Sequence, residues 1–407
     1  MVKELLEKKM KIAVYSGVVP STNFIENLLK SLYRNNVQVI IFGKKKEINY
    51  FENSKFEYIY YPENKFKKIF FIFSQGFLFF LKNKQYFFEF IKYYKSLPKN
   101  ESGGLLNWLL KVLPVVNNLP DIFHIQWAKS LPFWFFLKEI FGIKIIVSLR
   151  GAHINYSPLN DSYLKYIYTK LFPQVDKFHA VSNEIATTAE KYGARRQHIQ
   201  TIYSGINFKD INLIKTKRPI NDRLFSFISV GRSHWKKGYH YSISAFEKII
   251  SKGYNVKYII LLSNDPSEEM LYQIKDLNLK KNIKIITKES QLDIYKRIYN
   301  SNCLILPSVE EGIANTVLES MAIGTLVISS NCGGMKEVIK NNKNGLLFES
   351  RNVNDLTEKM VYAIKMDKTF KTKIISYAKK NSYDNYRLSR LGFEMKKLYE
   401  DCLDESR

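Results

Sequence analysis

Cysteine is nearly missing from this 407-residue chain: Cys303, Cys332 and Cys402 are the only three, far apart and without paired spacing. Neither a disulfide framework nor a cysteine-rich zinc site is indicated, and a reducing compartment fits. No Asp-x-Asp pair occurs anywhere, and the six histidines lack metal-ligand spacing. No metal or other cofactor is therefore expected. No G-x-G-x-x-G follows a strand-like run, which argues against a dinucleotide-dependent oxidoreductase. Long apolar runs are absent too. The longest, 69–81, is interrupted by Ser74, Gln75 and Gly76 and is too short to span a bilayer. The opening stretch MVKELLEKKMKIAVYSG has no apolar core of signal-peptide length. Together these features predict a cytoplasmic protein, either soluble or peripheral on the inner face of the cytoplasmic membrane.

Acidic residues are in short supply: 63 Lys and Arg face 38 Asp and Glu, for a formal net charge of +25. Nucleic acid, an anionic membrane surface or phosphate-bearing substrates would suit such a chain. Nucleic acid is disfavoured, because there is no RNP-like aromatic motif, zinc finger or isolated basic helix.

What is present is a regular alternation. Apolar runs of four to seven residues alternate with helix-period segments, the pattern of βαβ units and mainly parallel sheets. Strands are expected near 11–15, 37–42, 58–60, 122–125, 144–148, 177–180 and 200–202. In the second half they are expected near 224–230, 256–262, 283–286, 303–306, 326–329 and 345–348. The implied architecture is α/β, with two doubly wound Rossmann-like domains, 1–206 and 207–381, and a cleft between them. The polar stretch 207–221, containing Pro219, is the expected linker. The tail, 382–403, reads as helix. Between the third and fourth strands lies an insertion, 66–119, dense in Phe, Tyr, Leu and Lys. It predicts helices with apolar faces and basic flanks, packed mostly on the first domain's core and partly against anionic inner-leaflet lipid.

Two constellations carry chemistry. In LILPSVEEGIANTVLESMAIGTLVIS, Glu311 follows a strand and a turn marked by Pro307 and Ser308. Glu319 lies early in a helix expected to begin near Thr316. The free N–H groups of such a helix start attract anions. Carboxylates beside it repel phosphate but suit the hydroxyls of a ribose and a sugar, which points to a nucleotide-sugar. The plainer reading is that Thr316 and Glu319 form a T-x-x-E capping box. About 80 residues upstream stands SFISVGRSHWKKGYHYSISAF. Gly231 ends a strand there, and Arg232 and Lys237 would clamp a diphosphate, with Lys236 outside the clamp. The plainer reading is a basic surface turn.

These motifs resemble those of the retaining glycosyltransferases of family 4, which have the GT-B fold. Glu311 to Glu319 matches the family's Glu–seven residues–Glu motif, and Gly231, Arg232, Lys237 and Gly238 match its Gly-Arg…Lys-Gly motif. Weaker similarity runs along KIAVYSGVVPSTNFIENLLKSL, DIFHIQWA, AVSNEIATTAEKYG, IYSGIN and NCGGMKEVIKNNKNGLLFE. HWKKGYHYSISAF and EGIANTVLESMA resemble bacterial exopolysaccharide and colanic-acid-type transferases.

The resemblance implies a hexosyltransferase acting with retention, without metal, on a nucleotide-sugar and a glycan or polyprenyl-linked saccharide acceptor. Segment 382–407 would cross back to the first domain. Glu311 would contact the donor sugar and Glu319 the ribose, while Gly312, Ile313, Ala314, Asn315 and Thr316 would line the sugar-phosphate pocket. Glu311, Arg232 and Lys237 would carry the chemistry. The Asp-x-Asp pair that is missing marks the other large glycosyltransferase fold. On the acceptor side, Gly17 would allow close approach in the loop after the first strand. Many relatives carry a histidine after the fifth strand, where this chain has Arg150, with His153 three residues on. An epimerase or phosphorylase of the same fold, or a non-catalytic membrane-associated binding protein, are the competing readings.

Overall fold

The computed structural model describes residues 10–35, 37–46, 56–97, 104–214 and 224–404. They fall into two units. The first is drawn from Met1–Val181, Ile185–Ile202 and Leu391–Arg407, the second from Ser182–Glu184 and Tyr203–Arg390.

The first unit is built on seven strands: β1 (Lys11–Val19), β2 (Gln38–Lys45), β3 (Glu57–Tyr60), β4 (Ile122–Ile125), β5 (Lys144–Leu149), β6 (Lys177–Ala180) and β7 (Ile199–Thr201). Their order is β3-β2-β1-β4-β5-β6-β7, and every pairing is parallel. The second unit has six: β8 (Phe225–Gly231), β9 (Val256–Leu262), β10 (Ile283–Thr287), β11 (Cys303–Leu306), β12 (Leu326–Ser330) and β13 (Leu346–Phe348). Here the order is β10-β9-β8-β11-β12-β13, again all parallel. Helices cover the sheets, so the central strands are buried on both faces: every residue of β4 and β11 is buried, His124 of β4 included.

This winding sets where chemistry can sit. In each unit the chain leaves the first strand, fills one side of the sheet, then returns to place its fourth strand beside the first. The carboxyl ends of β1 and β4, and of β8 and β11, are therefore topological switch points, where open α/β sheets bind ligands.

Three expectations need correction. Gly17 lies inside β1, which runs on to Val19 through a register shift between Tyr15 and Gly17. Its φ of +84° is why glycine stands there, and Gly43 opposite is hemmed in by the Gly17 carbonyl, 3.1–3.2 Å from where a Cβ would go. The proposed linker is in part structured. The helix Phe208–Ile211 buries Ile211 in one cluster with Tyr295, Leu306 and Val317; positions 215–221 lie outside the described residues. The tail is two helices, Lys368–Asn385 and Leu388–Asp404, broken at Tyr386, whose φ of −123° and ψ of 25° are not helical.

Residues 391–404 of the last helix belong to the first unit, and one polar chain ties them to its sheet. Tyr399 Oη lies 2.8 Å from His124 Nδ1, His124 Nε2 is 2.9 Å from Ser148 Oγ, and Ser148 Oγ is 2.8 Å from His179 Nδ1. His179 Nε2 lies 3.0 Å from the Ile202 carbonyl, which only accepts. That end sets the direction of every bond. His179 donates to Ile202, Ser148 to His179, His124 to Ser148, and Tyr399 to His124. Both imidazoles are thus neutral. Burial drives the His179 pKa down to about 3, and burial, then the neighbouring His179 and Arg150, lower that of His124.

Candidate functional site

The second unit's switch point is assembled by two loops that grip each other. The loop after β8 contains a short 3₁₀ turn, Trp235–Lys237, closed by Gly238 in the left-handed region at φ +62°. A Cβ on Gly238 would stand 2.1 Å from the Pro307 carbonyl oxygen, in the loop after β11. No side chain fits there. The Val309 N–H donates to the Lys236 carbonyl at 2.7 Å, so the two loops share a backbone hydrogen bond as well. Gly231 is equally confined: a Cβ would lie 2.8 Å from Tyr239 Oη and 3.2 Å from Lys237 Cε. The glycine lets the Lys237 stem lie flat over the strand end.

This closure brings Lys237 and Glu311 into contact. Lys237 Nζ donates to Glu311 Oε1 at 2.5 Å, and Ser308 Oγ donates to the same oxygen at 2.9 Å. Glu311 is buried, with 8% exposed. Burial pushes its pKa upward, but Lys237, then Lys236, and the hydrogen bonds from Lys237 and Ser308 outweigh that, leaving it below the ordinary carboxylate value. It is an oriented anion. Lys236 is buried too, not solvated as in a basic surface turn. Burial lowers its pKa and the Glu311 charge opposes that shift. Arg232 is exposed and makes no ion pair among the described residues. Three cations therefore stand at one strand end, and one of them is committed to the neighbouring acid.

The acidic loop is braced from behind by the glycine pair after β12. A Cβ on Gly333, whose φ is +52°, would lie 1.7 Å from the Glu311 carbonyl oxygen, and one on Gly334 would lie 2.2 Å from that of Gly312. Glu337, from the same segment, accepts from the Asn183 and Glu184 backbone N–H groups, the Asn183 side chain and Tyr203 Oη. Its carboxylate is occupied structurally.

Helix Asn315–Ile323 follows, with Ala314 as N-cap and no side-chain cap. Thr316 therefore lies within the helix, and the capping-box reading of Thr316 and Glu319 fails. Glu319 instead accepts from Tyr295 Oη at 3.1 Å. Burial raises the Glu319 pKa to about 7, with the Tyr295 hydrogen bond pulling the other way. Asn315 and Glu319, four residues apart, share a helix face. Asn315 Oδ1 is buried without a protein partner. The Ala314 N–H points at Met335 Sδ, 3.4 Å away, while Gly312 is buried and Ile313 half-buried. Lys237 and Glu311 thus meet directly; no direct bond joins either to Glu319 or Arg232 among the described residues.

In the first unit Arg150 follows β5 immediately. Its Nη2 donates to Gln126 Oε1 at 3.0 Å and its guanidinium lies 4.4 Å from the Phe24 ring centroid. Nε is buried without a partner, and no carboxylate pairs with the guanidinium among the described residues. Burial lowers its pKa to about 9, so it stays charged at neutral pH. His153 packs against Trp127, centroids 5.3 Å apart. The same unit holds a cavity of about 690 Å³, lined by Tyr15, Lys111, Lys129, Phe133, Trp134 and Asp161 among others.

Two doubly wound parallel sheets, one in each unit, are the fold of the GT-B class. Residues 21–210 match the family described as Glycosyltransferase Family 4 and residues 210–381 match Glycosyl transferases group 1, so the chain belongs to these glycosyltransferases.

Among relatives, it is 27% identical over 209 residues to the Staphylococcus aureus capsular polysaccharide biosynthesis glycosyltransferase CapM, covering 50% of this chain and 54% of the other. It is 25% identical over 268 residues to a Campylobacter jejuni N,N'-diacetylbacillosaminyl-diphospho-undecaprenol alpha-1,3-N-acetylgalactosaminyltransferase, covering 62% and 66%. The chain spans about half the length of the curated relatives it matches. Among solved structures, Anabaena HepE in complex with UDP-glucose superposes with a TM-score of 0.71 at 16% identity, over 96% of this chain and all of the other.

Proposed function

We propose that this chain transfers a hexose from a nucleotide-sugar to a glycan or polyprenyl-linked saccharide in surface polysaccharide biosynthesis, with retention at the anomeric carbon. The Lys237–Glu311 contact at the switch point is the observation that carries the reading. A donor diphosphate develops negative charge as the bond from its oxygen to the anomeric carbon breaks, and the electron pair stays on that oxygen. Arg232, Lys236, Lys237 and the start of helix Asn315–Ile323 supply positive potential there, so the reaction is expected to proceed without metal. The acceptor oxygen bonds to the anomeric carbon on the face the diphosphate leaves, and its proton passes to the departing phosphate oxygen. Glu311, fixed by Lys237 and Ser308, is oriented for sugar hydroxyls. Glu319 and the buried Asn315 Oδ1, both acceptors, are suited to hydroxyls of the ribose and the sugar. On the acceptor side, the aromatic rings and two lysines of the first unit's cavity suit a saccharide and its phosphates.

The test is calorimetric titration with UDP-, GDP- and other sugar nucleotides, UDP-glucose first because HepE binds it. Lys237→Ala is expected to weaken donor binding about 10- to 100-fold, the worth of one hydrogen bond to a charged group. Turnover by the unaltered protein is expected to survive EDTA. Equal donor affinity in Lys237→Ala would overturn the reading.

A further inference from the structure

The three described helices between β3 and β4 leave a face that an aqueous surface does not explain. Helix Lys65–Asn83 has two apolar sides. Its inner side carries Phe71, Ile72 and buried Phe79 into the first unit's core. Gln75 and Asn83 lock it to helix Leu105–Val116: Asn117 Nδ2 donates to Gln75 Oε1 at 2.8 Å, and Asn83 Nδ2 to the Val116 carbonyl at 3.1 Å. Its outer side carries Phe66, Phe70, Phe73, Phe77 and Phe80, alternating steps of four and three that keep them in one stripe. These rings are 59–82% exposed. At roughly 200 Å² per ring the stripe presents on the order of 700 Å², beyond the largest patch of an ordinary monomer, ~300–600 Å². Phe88 of the next helix, Phe87–Ser96, is 82% exposed as well.

Charge selects among occupants. Segment 65–96 holds seven lysines against a single acid, Glu89, and no arginine. Protein interfaces deplete lysine and favour arginine, so a protein partner fits poorly. A second copy laid symmetrically on the stripe would set the lysines at the ends of one helix, Lys65, Lys67, Lys82 and Lys84, against lysines of the other. Lysines at both ends of a phenylalanine stripe suit a helix lying in the plane of an anionic membrane, rings among the acyl chains and ammonium groups at the phosphates. Among the described residues no helix is long and apolar enough to cross a membrane. We infer that helix Lys65–Asn83 docks the first unit on an anionic lipid surface through Phe66, Phe70, Phe73, Phe77 and Phe80. This inference is independent of the donor-site reading.

The experiment is co-sedimentation of the full chain with vesicles of phosphatidylglycerol and phosphatidylcholine in equal parts, against phosphatidylcholine alone, at low and high salt. At least tenfold preference for the anionic vesicles is expected, falling at high salt. The triple variant Phe70→Ser, Phe73→Ser, Phe77→Ser should lose at least tenfold in binding while melting within a few degrees of the unaltered protein, since the rings are already exposed. Lys65→Gln with Lys82→Gln should erode the anionic preference about fivefold per lysine. Three results would overturn the inference: no binding to anionic vesicles at low salt; undiminished binding by the phenylalanine variant; or a lipid-free dimer that this variant converts to monomer, which would assign the face to a second copy.

Discussion

The two sheets share a winding and differ in how their switch points handle charge. At β8 and β11 the cation and the acid are supplied by the chain itself, and Lys237 and Glu311 satisfy each other at 2.5 Å. After β5, beside β4, Arg150 meets, among the described residues, a neutral amide and an aromatic face, and its Nε is left unpartnered. A buried, uncompensated cation is costly, whereas a paired one is stabilised by its partner. The second unit's end thus supplies its own counter-charge, and Arg150 has no such acid among the described residues. Identical topology does not imply identical chemistry.

Breaking the first end's preorganisation should have the largest effect. Gly238→Ala places a Cβ 2.1 Å from the Pro307 carbonyl oxygen on a backbone with φ +62°. The loops after β8 and β11 would have to part, taking Lys237 away from Glu311. Donor affinity is expected to fall a hundredfold or more, with stability reduced by about 1–3 kcal/mol. Titration and thermal melting measure the two. Gly253→Ala, where a Cβ meets nothing within 4 Å but φ is +80°, controls for backbone strain alone. Equal loss of donor affinity in both variants would deny the loop closure its role.

The comparison sharpens at Arg150. Arg150→Gln removes the uncompensated charge while leaving an amide near Gln126. It is expected to raise the acceptor KM about tenfold, the effect of one charged hydrogen bond, and to leave donor affinity within twofold. A drop in donor affinity matching that of Lys237→Ala would mean that the guanidinium serves the donor diphosphate instead.

How much of this was legible beforehand depends on the range over which the cause acts. The thirteen strands among the described residues stand where short apolar runs predicted them, because burial of the central strands is written locally. The two motifs read as groups for one ligand at the ends of separate strands; the sheet order sets β8 beside β11, and Lys237 there pairs directly with Glu311. What escaped was set by packing. Lys236 looks like any solvated lysine, yet the loop that seats Lys237 buries it. Gly17 reads as a turn residue because a strand's continuation through a bulge leaves no local mark. Thr316 and Glu319 match a capping box, but the helix starts a residue earlier and Tyr295, 24 positions away, takes the carboxylate. The Tyr399–His124–Ser148–His179 chain joins residues up to 275 positions apart on neighbouring strands and the last helix, a relation no spacing rule displays. The phenylalanine stripe was visible as periodicity, though not which side faced out.

The smallest expected effect separates the two carboxyls eight residues apart. Glu311 is held below its ordinary pKa by lysines, whereas Glu319, burial outweighing its one hydrogen bond, is raised to about 7. A carboxyl that holds its proton more tightly folded than unfolded makes stability decline as pH rises from its unfolded value of 4.5 towards 7. Glu311 has the opposite sign, its contribution present above the unfolded pKa and lost as pH falls through the lowered folded one. Glu319→Gln keeps the acceptor for Tyr295 and removes the titration. Its melting temperature should therefore fall less than that of the unaltered protein between pH 4.5 and 7. A ribose bound at Glu319 would add an inflection near pH 7 to donor affinity, absent in Glu319→Gln. Parallel melting curves for the two proteins across that window would show that Glu319 titrates as an ordinary surface acid, and the contrast between the two carboxyls would then rest on Glu311 alone.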